Sequence, residues 1–542
     1  MTSSDSSLPS SPRWRICLGL AVGALFLFGA WLRWTDGFVA ITTPDSYVYL
    51  QGALTGDLNE VAWRTFLYPL FLKLTIGHLG GLEAVLALQK LFGLAAAGLT
   101  FSAWIHLKTI LRYNRRGGVV HDCFGLLLLA MMLLPYGSTR YQEQSIMLES
   151  SSTLALSAVA FIASRLFVSL RGSSGPKRVA IWASATIGIS LLANTLNPRF
   201  GPCVVLALLF AATALRLARA SLRQSLLALL VPVALAGPLL LLPQRALDQR
   251  NVWNSSFVPM HFLFIHARLT LPEIVHDRDD PAFTRYDRAF LGELAKEIEL
   301  VFALAERNGS GGNETLKFDP NLLLWGKAAT MMREHFRDEP AGAAEFCRHY
   351  FLQAVWHQPA AYLKKVALEW AYLLRPGGSV VDDSWPPLPL TPALSQSPAL
   401  AAIYAQEARA AVRADFLAYQ AQLADSKNYS GVVFHTPFPM NYFGNWVNRG
   451  FLSLGLLVSG LCVFFLWKKG GETGAVNLAL VSLGSSLLLF SELAPLAFVT
   501  TTCGTRAIQG LRVLFAFTTV DLGLTGLVLL ASLVGWRRWL FV

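Results

Sequence analysis

Residues Thr43–Leu74 read TPDSYVYLQGALTGDLNEVAWRTFLYPLFLKL. The stretch follows the first long apolar run, Ile16–Trp34. It holds an acid at the mouth of that run (Asp45) and then a Tyr-rich amphipathic segment (Tyr47, Tyr49, Leu50, Ala53, Leu54). Arg64 and the apolar block 66–72 come next. A lone carboxylate where a span meets water, followed by a segment able to lie flat on a bilayer, is an odd thing to build for stability alone. The pattern points to the floor of a site at a membrane surface.

The rest of the chain makes that membrane concrete. Of 542 residues, 54% are hydrophobic and 15% charged, and mean hydropathy is +0.46. Soluble domains carry about 25% charged residues, so composition alone indicates an integral membrane protein. The net charge of +11 does not point to nucleic acid. Its Lys and Arg residues cluster in short loops between apolar runs, as the positive-inside bias requires.

Apolar runs of about 20 residues predict ten spans. They are 16–34, 83–107, 119–136, 148–170, 179–196, 201–218, 225–243, 446–467, 475–499 and 511–536. Clusters such as Arg115-Arg116, Lys177-Arg178 and Lys468-Lys469 then fall on one side, with both termini cytoplasmic. The N-terminus, with Arg13 and Arg15 before the first run, reads as an uncleaved first span. The fold class expected is all-α and polytopic, in three parts. Residues 1–243 form an N-terminal membrane module with about seven spans and the first outer loop 35–82. Residues 244–445 form a mostly helical extracytoplasmic domain with a Pro-rich loop at 376–398, and residues 446–542 form a C-terminal membrane module. No internal repeat of the kind that builds many transporters is visible.

Candidate chemistry lies at the outer ends of the spans. Asp45 reads either as a helix N-cap or as a reactive carboxylate. Glu149 opens the fourth span, where an acid is favoured by the helix dipole but costly at a membrane edge without a polar surround. Glu143 reads as its more exposed neighbour. Arg64, Arg140, Arg199, Arg506 and Arg512 fall on outer loops or span ends against the charge bias, and their planar forks suit phosphate. His121, Asp122 and Arg165 read as structural, and Asp521 as a residue paired within the bundle. Of six cysteines, Cys17, Cys123, Cys203 and Cys462 read as small core residues. Cys347 and Cys503 lie in regions placed outside, where a disulfide is open to them. Sequons begin at Asn254, Asn308, Asn313 and Asn428. No P-loop, HExxH or GxSxG occurs.

Asp45-Ser46-x-x-Tyr49, followed by Arg64-Thr65-Phe66-Leu67-Tyr68-Pro69-Leu70-Phe71-Leu72, resembles the first outer loop of GT-C glycosyltransferases. Residues 145–150 resemble that family's Glu at the start of span 4. Asn197-Pro198-Arg199 resembles its Arg-Pro element with the order swapped. Residues 357–365 resemble a helix found before the late spans, and Arg512-Val513-Leu514 weakly matches a late Arg-Tyr element. The nearest relatives by this resemblance are bacterial aminoarabinose transferases and protein O-mannosyltransferases. It covers about the first 210 residues well and the rest loosely. Phe66 stands where the family often has Pro. A single acid stands where some members have a pair, leaving open whether Asp57, Glu60 or Glu149 completes the site.

The resemblance implies a donor sugar on a polyprenyl phosphate and a glycan, lipid or protein acceptor. It implies an active site on the periplasmic face of the inner (plasma) membrane, with inversion at the anomeric carbon. Asp45 is then the general base. Tyr68 and the five outer arginines would hold the donor and its departing phosphate. No cofactor is implied, and a divalent cation stays open. A lipid-linked oligosaccharide ligase or polymerase, or a lipid or sugar transporter, remains the alternative.

Overall fold

The computed structural model describes residues 12–35, 38, 46, 49–50, 52–53, 66–111, 113–134, 143–172, 174–250, 254–307, 316–374, 459–461, 464, 473–499 and 512–533. Helices make up 89% of what is described, and no strand occurs among the described residues.

Seven helices are long and apolar enough to cross a membrane. Six are consecutive: α1 (Pro12–Thr35), α3 (Leu82–Leu111), α4 (Arg115–Leu133), α5 (Glu149–Arg171), α6 (Pro176–Leu196) and α7 (Gly201–Leu217). A short helix, α2 (Leu67–Thr75), and a π-turn (Ile76–Gly80) lead into α3. Late in the chain lies α16 (Thr473–Val499), the seventh, packed on α17 (Arg512–Leu533). The protein is therefore an all-α polytopic membrane protein. Its surface agrees. Leu20 and Leu27 of α1 are 69% and 75% exposed, and Ile181, Leu209 and Leu235 also face outward, as lipid permits and water does not. Cys17 and Cys123, expected in the core, lie exposed instead, because an apolar side chain on a span gains as much facing lipid as facing protein.

The expected seventh span lies in α8 (Leu222–Arg250), whose apolar stretch is Leu222–Pro238. The helix runs past the expected end at Pro243, through Pro232, Pro238 and Pro243. The expected last span lies in α17, with an apolar stretch at Ala516–Ala531. Most of the expected eighth span, 446–467, lies outside the described residues, as does the Pro-rich loop 376–398.

Local chemistry sets several helix ends. Asn114 caps α4 by accepting from Gly117 N at 2.9 Å, satisfying a donor the helix cannot. Pro sits at the first turn of α6, where its missing N–H costs nothing. Gly81, between the π-turn and α3, has φ 94°, a region open to glycine.

One end of the bundle is basic. There Lys108 and Trp14 both bond Asp122, at 2.7 and 2.8 Å. Arg171 bonds Asn477, which donates to Ile110 O at 3.0 Å. His121 stacks on Trp104 and bonds its carbonyl. Arg165 meets His106 at 2.8 Å and lies over Trp182. His121, Asp122 and Arg165 are thus held in packing contacts.

Residues 254–357 build a second apolar core. Its helices are α9 (Asn254–Ile265), α10 (Ala267–Asp279), α11 (Arg288–Arg307), α12 (Asn321–Leu324), α13 (Lys327–His335) and α14 (Pro340–His357). Phe264, Leu291, Phe318, Phe346 and Tyr350 are buried there. Cys347 is a free buried thiol in this core, and burial pushes its pKa up. Its possible partner Cys503 lies outside the described residues. Helix α15 (Pro359–Leu374) returns to the bundle, with Val366 buried in the membrane core and Trp370 against Phe490 of α16 at 5.5 Å.

A candidate site at the end opposite the basic residues

The ends of α1, α3 and α4 away from the basic side, with the segment leading into α5, share one buried polar network. It starts at Arg33, in the last turn of α1 and 1% exposed. Its guanidinium reaches Glu143 Oε1 from Nη2 at 2.8 Å and from Nε at 3.0 Å. The remaining N–H groups donate to the carbonyls of Gly29, Leu133 and Met132. Glu143 is 4% exposed, which corrects the expectation of an exposed acid. The Arg33 partnership lets it be buried, since a carboxylate taken from water needs a charge partner and donors.

Gly93 of α3 makes room for this pair. A Cβ there would lie 2.0 Å from Glu143 Oε1. One turn earlier on the same helix, Lys90 donates to the Arg33 carbonyl at 2.6 Å and lies over the Phe38 ring at 4.4 Å. Gln89 donates to the carbonyls of Glu143 and Ser145, at 3.0 and 2.8 Å. Its own carbonyl accepts from the Tyr68 hydroxyl at 2.8 Å.

Tyr68 brings the opening stretch of the sequence into this network. It is fully buried on α2 and meets Tyr49 edge to face at 4.9 Å. Ser46, Leu50 and Ala53 are buried beside it in sequence. Burial pushes the Tyr68 hydroxyl up, and Tyr49 and Glu149 add to the effect, so it stays a neutral donor. Glu149, at the first position of α5, is 8% exposed. Three residues on, Ser152 accepts from Asn197 Nδ2 at 3.3 Å, which draws the end of α6 to within one turn of Glu149. Asn197 also accepts from Arg199 N, opening the 3-10 turn Pro198–Phe200. Phe200 is buried and Arg199 is exposed.

Glu149 thus lies within electrostatic range of Tyr68, and exposed Arg199 follows two residues after Asn197, which bonds Ser152 of α5. Arg512 is the first residue of α17, and its side chain is outside the described set. Asp45, Arg64, Arg140 and Arg506 lie outside the described residues. The buried cations, Arg33 and Lys90, are residues the sequence reading passed over. Both carried a signal: each is a charge inside or at the end of an apolar run, where it is costly unless used.

Two further acids sit inside the spans. Glu492 of α16 is 2% exposed beside the backbone of Cys203, and neither of its oxygens completes a hydrogen bond among the described residues. Asp521 of α17 is fully buried, with Ser485 at 3.4 Å from Oδ2. The sequence gives it a pairing within the bundle, and its neighbours are hydroxyls. Among the described residues no cluster of His, Cys, Asp and Glu could hold a metal ion.

Fold and network define a class, an all-α polytopic membrane protein with a buried charged network at one end of its bundle. No family model, curated protein or solved structure matches the chain.

Proposed function

We propose that this protein is a membrane glycosyltransferase of the GT-C kind, moving a sugar from a polyprenyl-phosphate donor to an acceptor hydroxyl. One observation carries the reading. Tyr49 and Tyr68 of the first loop are buried edge to face, Tyr68 bonds Gln89 of the Arg33–Glu143 network, and Glu149 at the start of α5 lies near enough to act on the Tyr68 hydroxyl. A loop serving only as a connection would stay on the surface.

On this reading the basic end faces the cytoplasm, and the Glu149 end, with the helices of residues 254–357, faces the periplasm of an inner membrane. The chain crosses ten times, with the donor lipid tail in the bilayer. Asp45, next to buried Ser46, takes the proton of the acceptor hydroxyl as its oxygen bonds to the anomeric carbon. The bond from that carbon to the phosphate oxygen breaks, and the electron pair leaves with the lipid phosphate. Arg64, Arg140, Arg199, Arg506 and Arg512 meet that developing charge. Glu149 orients the sugar by a hydrogen bond, buried Tyr68 supports the floor of the site through Gln89, and Arg33 and Lys90 hold the platform beneath. The acceptor is a glycan, lipid or protein. The test is sugar transfer by the full chain in lipid nanodiscs, from a panel of polyprenyl-phosphate sugars.

A second reading, a lipid or sugar transporter, draws on Glu492 and Asp521. Both are acids buried inside spans, a feature that marks pathways in transporters. Donor flipping without transfer in proteoliposomes would favour it.

A further inference from the structure

The basic end of the bundle holds a cation that the glycosyltransferase reading does not use. Helix α5 packs between α3 and α6, and Arg165 lies on it six residues short of the basic end at Arg171. At 1.5 Å a residue, that is about 9 Å inside the end. Its Nη1 donates to His106 Nε2 of α3 at 2.8 Å, and its guanidinium carbon lies 5.0 Å from the Trp182 ring centroid on α6. His106 and Trp182 stand five and six residues from the basic ends of their own helices, so the three side chains meet at one depth. All three are half-buried, as are Phe161 and Ala158, one and two turns deeper on the same face of α5. Ile181, beside Trp182, is 58% exposed, which places the cluster on the lipid-facing surface.

An arginine inside a span needs an anion. Its guanidinium stays charged in any protein setting, and a charge within the bilayer is costly until it is paired. Elsewhere in the bundle Arg33 has Glu143 and Lys108 has Asp122. Among the described residues Arg165 has no carboxylate, and its one hydrogen bond goes to His106. Arginine only donates, so His106 Nε2 accepts and the imidazole is neutral. A tie between helices would not call for a charge, since a glutamine donates to the same nitrogen. Snorkelling to water does not describe the geometry either. It runs a side chain toward the interface with its head in water, whereas contacts with α3 and α6 hold Arg165 across the helices at its own depth. The planar fork still has N–H groups to give, and a phosphate takes two of them at once.

We infer that Arg165, positioned by His106 and Trp182, binds the phosphate of an anionic phospholipid in the leaflet at the basic end. The headgroup supplies the missing negative charge, and an acyl chain lies along Phe161 and Ala158. A zwitterionic lipid carries its own cation beside the phosphate and neutralises less of the guanidinium's charge. The site lies at the end opposite the candidate transferase site and stands whether or not that reading holds.

The experiment is native mass spectrometry of the full chain in a non-ionic detergent, titrated with phosphatidylglycerol or phosphatidylcholine. The wild type should take its first phosphatidylglycerol at least about tenfold more tightly than phosphatidylcholine, the worth of a charge-assisted hydrogen bond. Arg165→Gln should abolish that preference. Arg165→Lys keeps the charge but not the fork and should lose most of it, and Trp182→Leu, which frees the fork, should lose part. Arg178→Gln, at an exposed cation on the same end, is the control and should keep the preference. Should Arg165→Gln fail to fold, the lysine and Trp182 variants carry the test. Equal affinities for the two lipids in the wild type would overturn the site. So would Arg178→Gln weakening binding as much as Arg165→Gln, since the end would then attract lipid only by its summed charge. Displacement of the lipid by millimolar inorganic phosphate would overturn the lipid assignment in favour of a soluble anion.

Discussion

Arg33 and Glu143 stand 110 residues apart in the chain and meet in a 2.8 Å ion pair, their side chains 1% and 5% exposed. The pair fastens the end of α1 to the segment that leads into α5. Removing one partner strands the other as a buried charge, which typically costs about 3–5 kcal/mol. Arg33→Met and Glu143→Leu should each lower the unfolding temperature sharply. The double variant Arg33→Met/Glu143→Leu should recover part of the loss, because no charge is then left alone. Differential scanning fluorimetry in detergent reads all three, and additive losses would mean the two residues act independently.

Gly93 makes a steric prediction. Gly93→Ala drives a methyl into Glu143 Oε1 and must swing the carboxylate off Arg33. We expect a destabilisation of about 1–3 kcal/mol. Gly23→Ala on α1, where a Cβ meets nothing within 4 Å, is the matched control and should be neutral or slightly stabilising. Equal melting temperatures for the two variants would show that the pair tolerates the methyl.

Tyr68→Phe deletes one buried hydrogen bond and leaves the Gln89 carbonyl oxygen without its donor. The expected cost in stability is about 1–3 kcal/mol. If Tyr68 also supports the donor site through Gln89, the variant should lose transfer activity under conditions where it remains folded. Full activity in the folded variant would confine Tyr68 to packing.

His349, in the core of residues 254–357, makes a prediction about pH. Burial, with the Arg285 charge second, holds its pKa below the ordinary value, while Asp277 pulls the other way. The unfolded chain therefore takes up this proton more readily than the folded one. The sign follows: stability is full above about pH 6.5, the ordinary histidine value. It falls as pH drops through that value and levels off below the folded pKa. His349→Gln should flatten this acid limb of a plot of melting temperature against pH. An unchanged slope would assign the limb to other groups.

The spans were readable because long apolar runs bounded by Lys and Arg have few other uses. The start of α5 at Glu149 and the end of α6 at Leu196 were expected within a residue. Helices α9 and α10 were not separately visible, since Pro259 and Pro272 lie inside them and break the usual signature. Apolar residues at helical spacing over 322–336 and 341–374 read as two helices; the first splits at Trp325-Gly326, where a Cβ on Gly326 would lie 1.9 Å from Leu322 O. The expected helix 341–374 divides at Gln358-Pro359. At the candidate site, Glu149 and Tyr68 stood out by type and position. Arg33 and Lys90 showed only as charges in or at the end of an apolar run, and the burial of Gln89 and Glu143 did not show, because their use depends on partners 50 to 110 positions away, and no local pattern encodes such a meeting.

The most direct test of the account is sugar transfer from polyprenyl-phosphate donors by wild type and Asp45→Asn, each in nanodiscs and each shown to be folded. The account predicts turnover by the wild type with at least one donor. It predicts a loss of about 10²–10⁴-fold in the variant, the usual worth of a general base. A folded wild type inert toward every donor, or an Asp45→Asn protein turning over at nearly the wild-type rate, would contradict it.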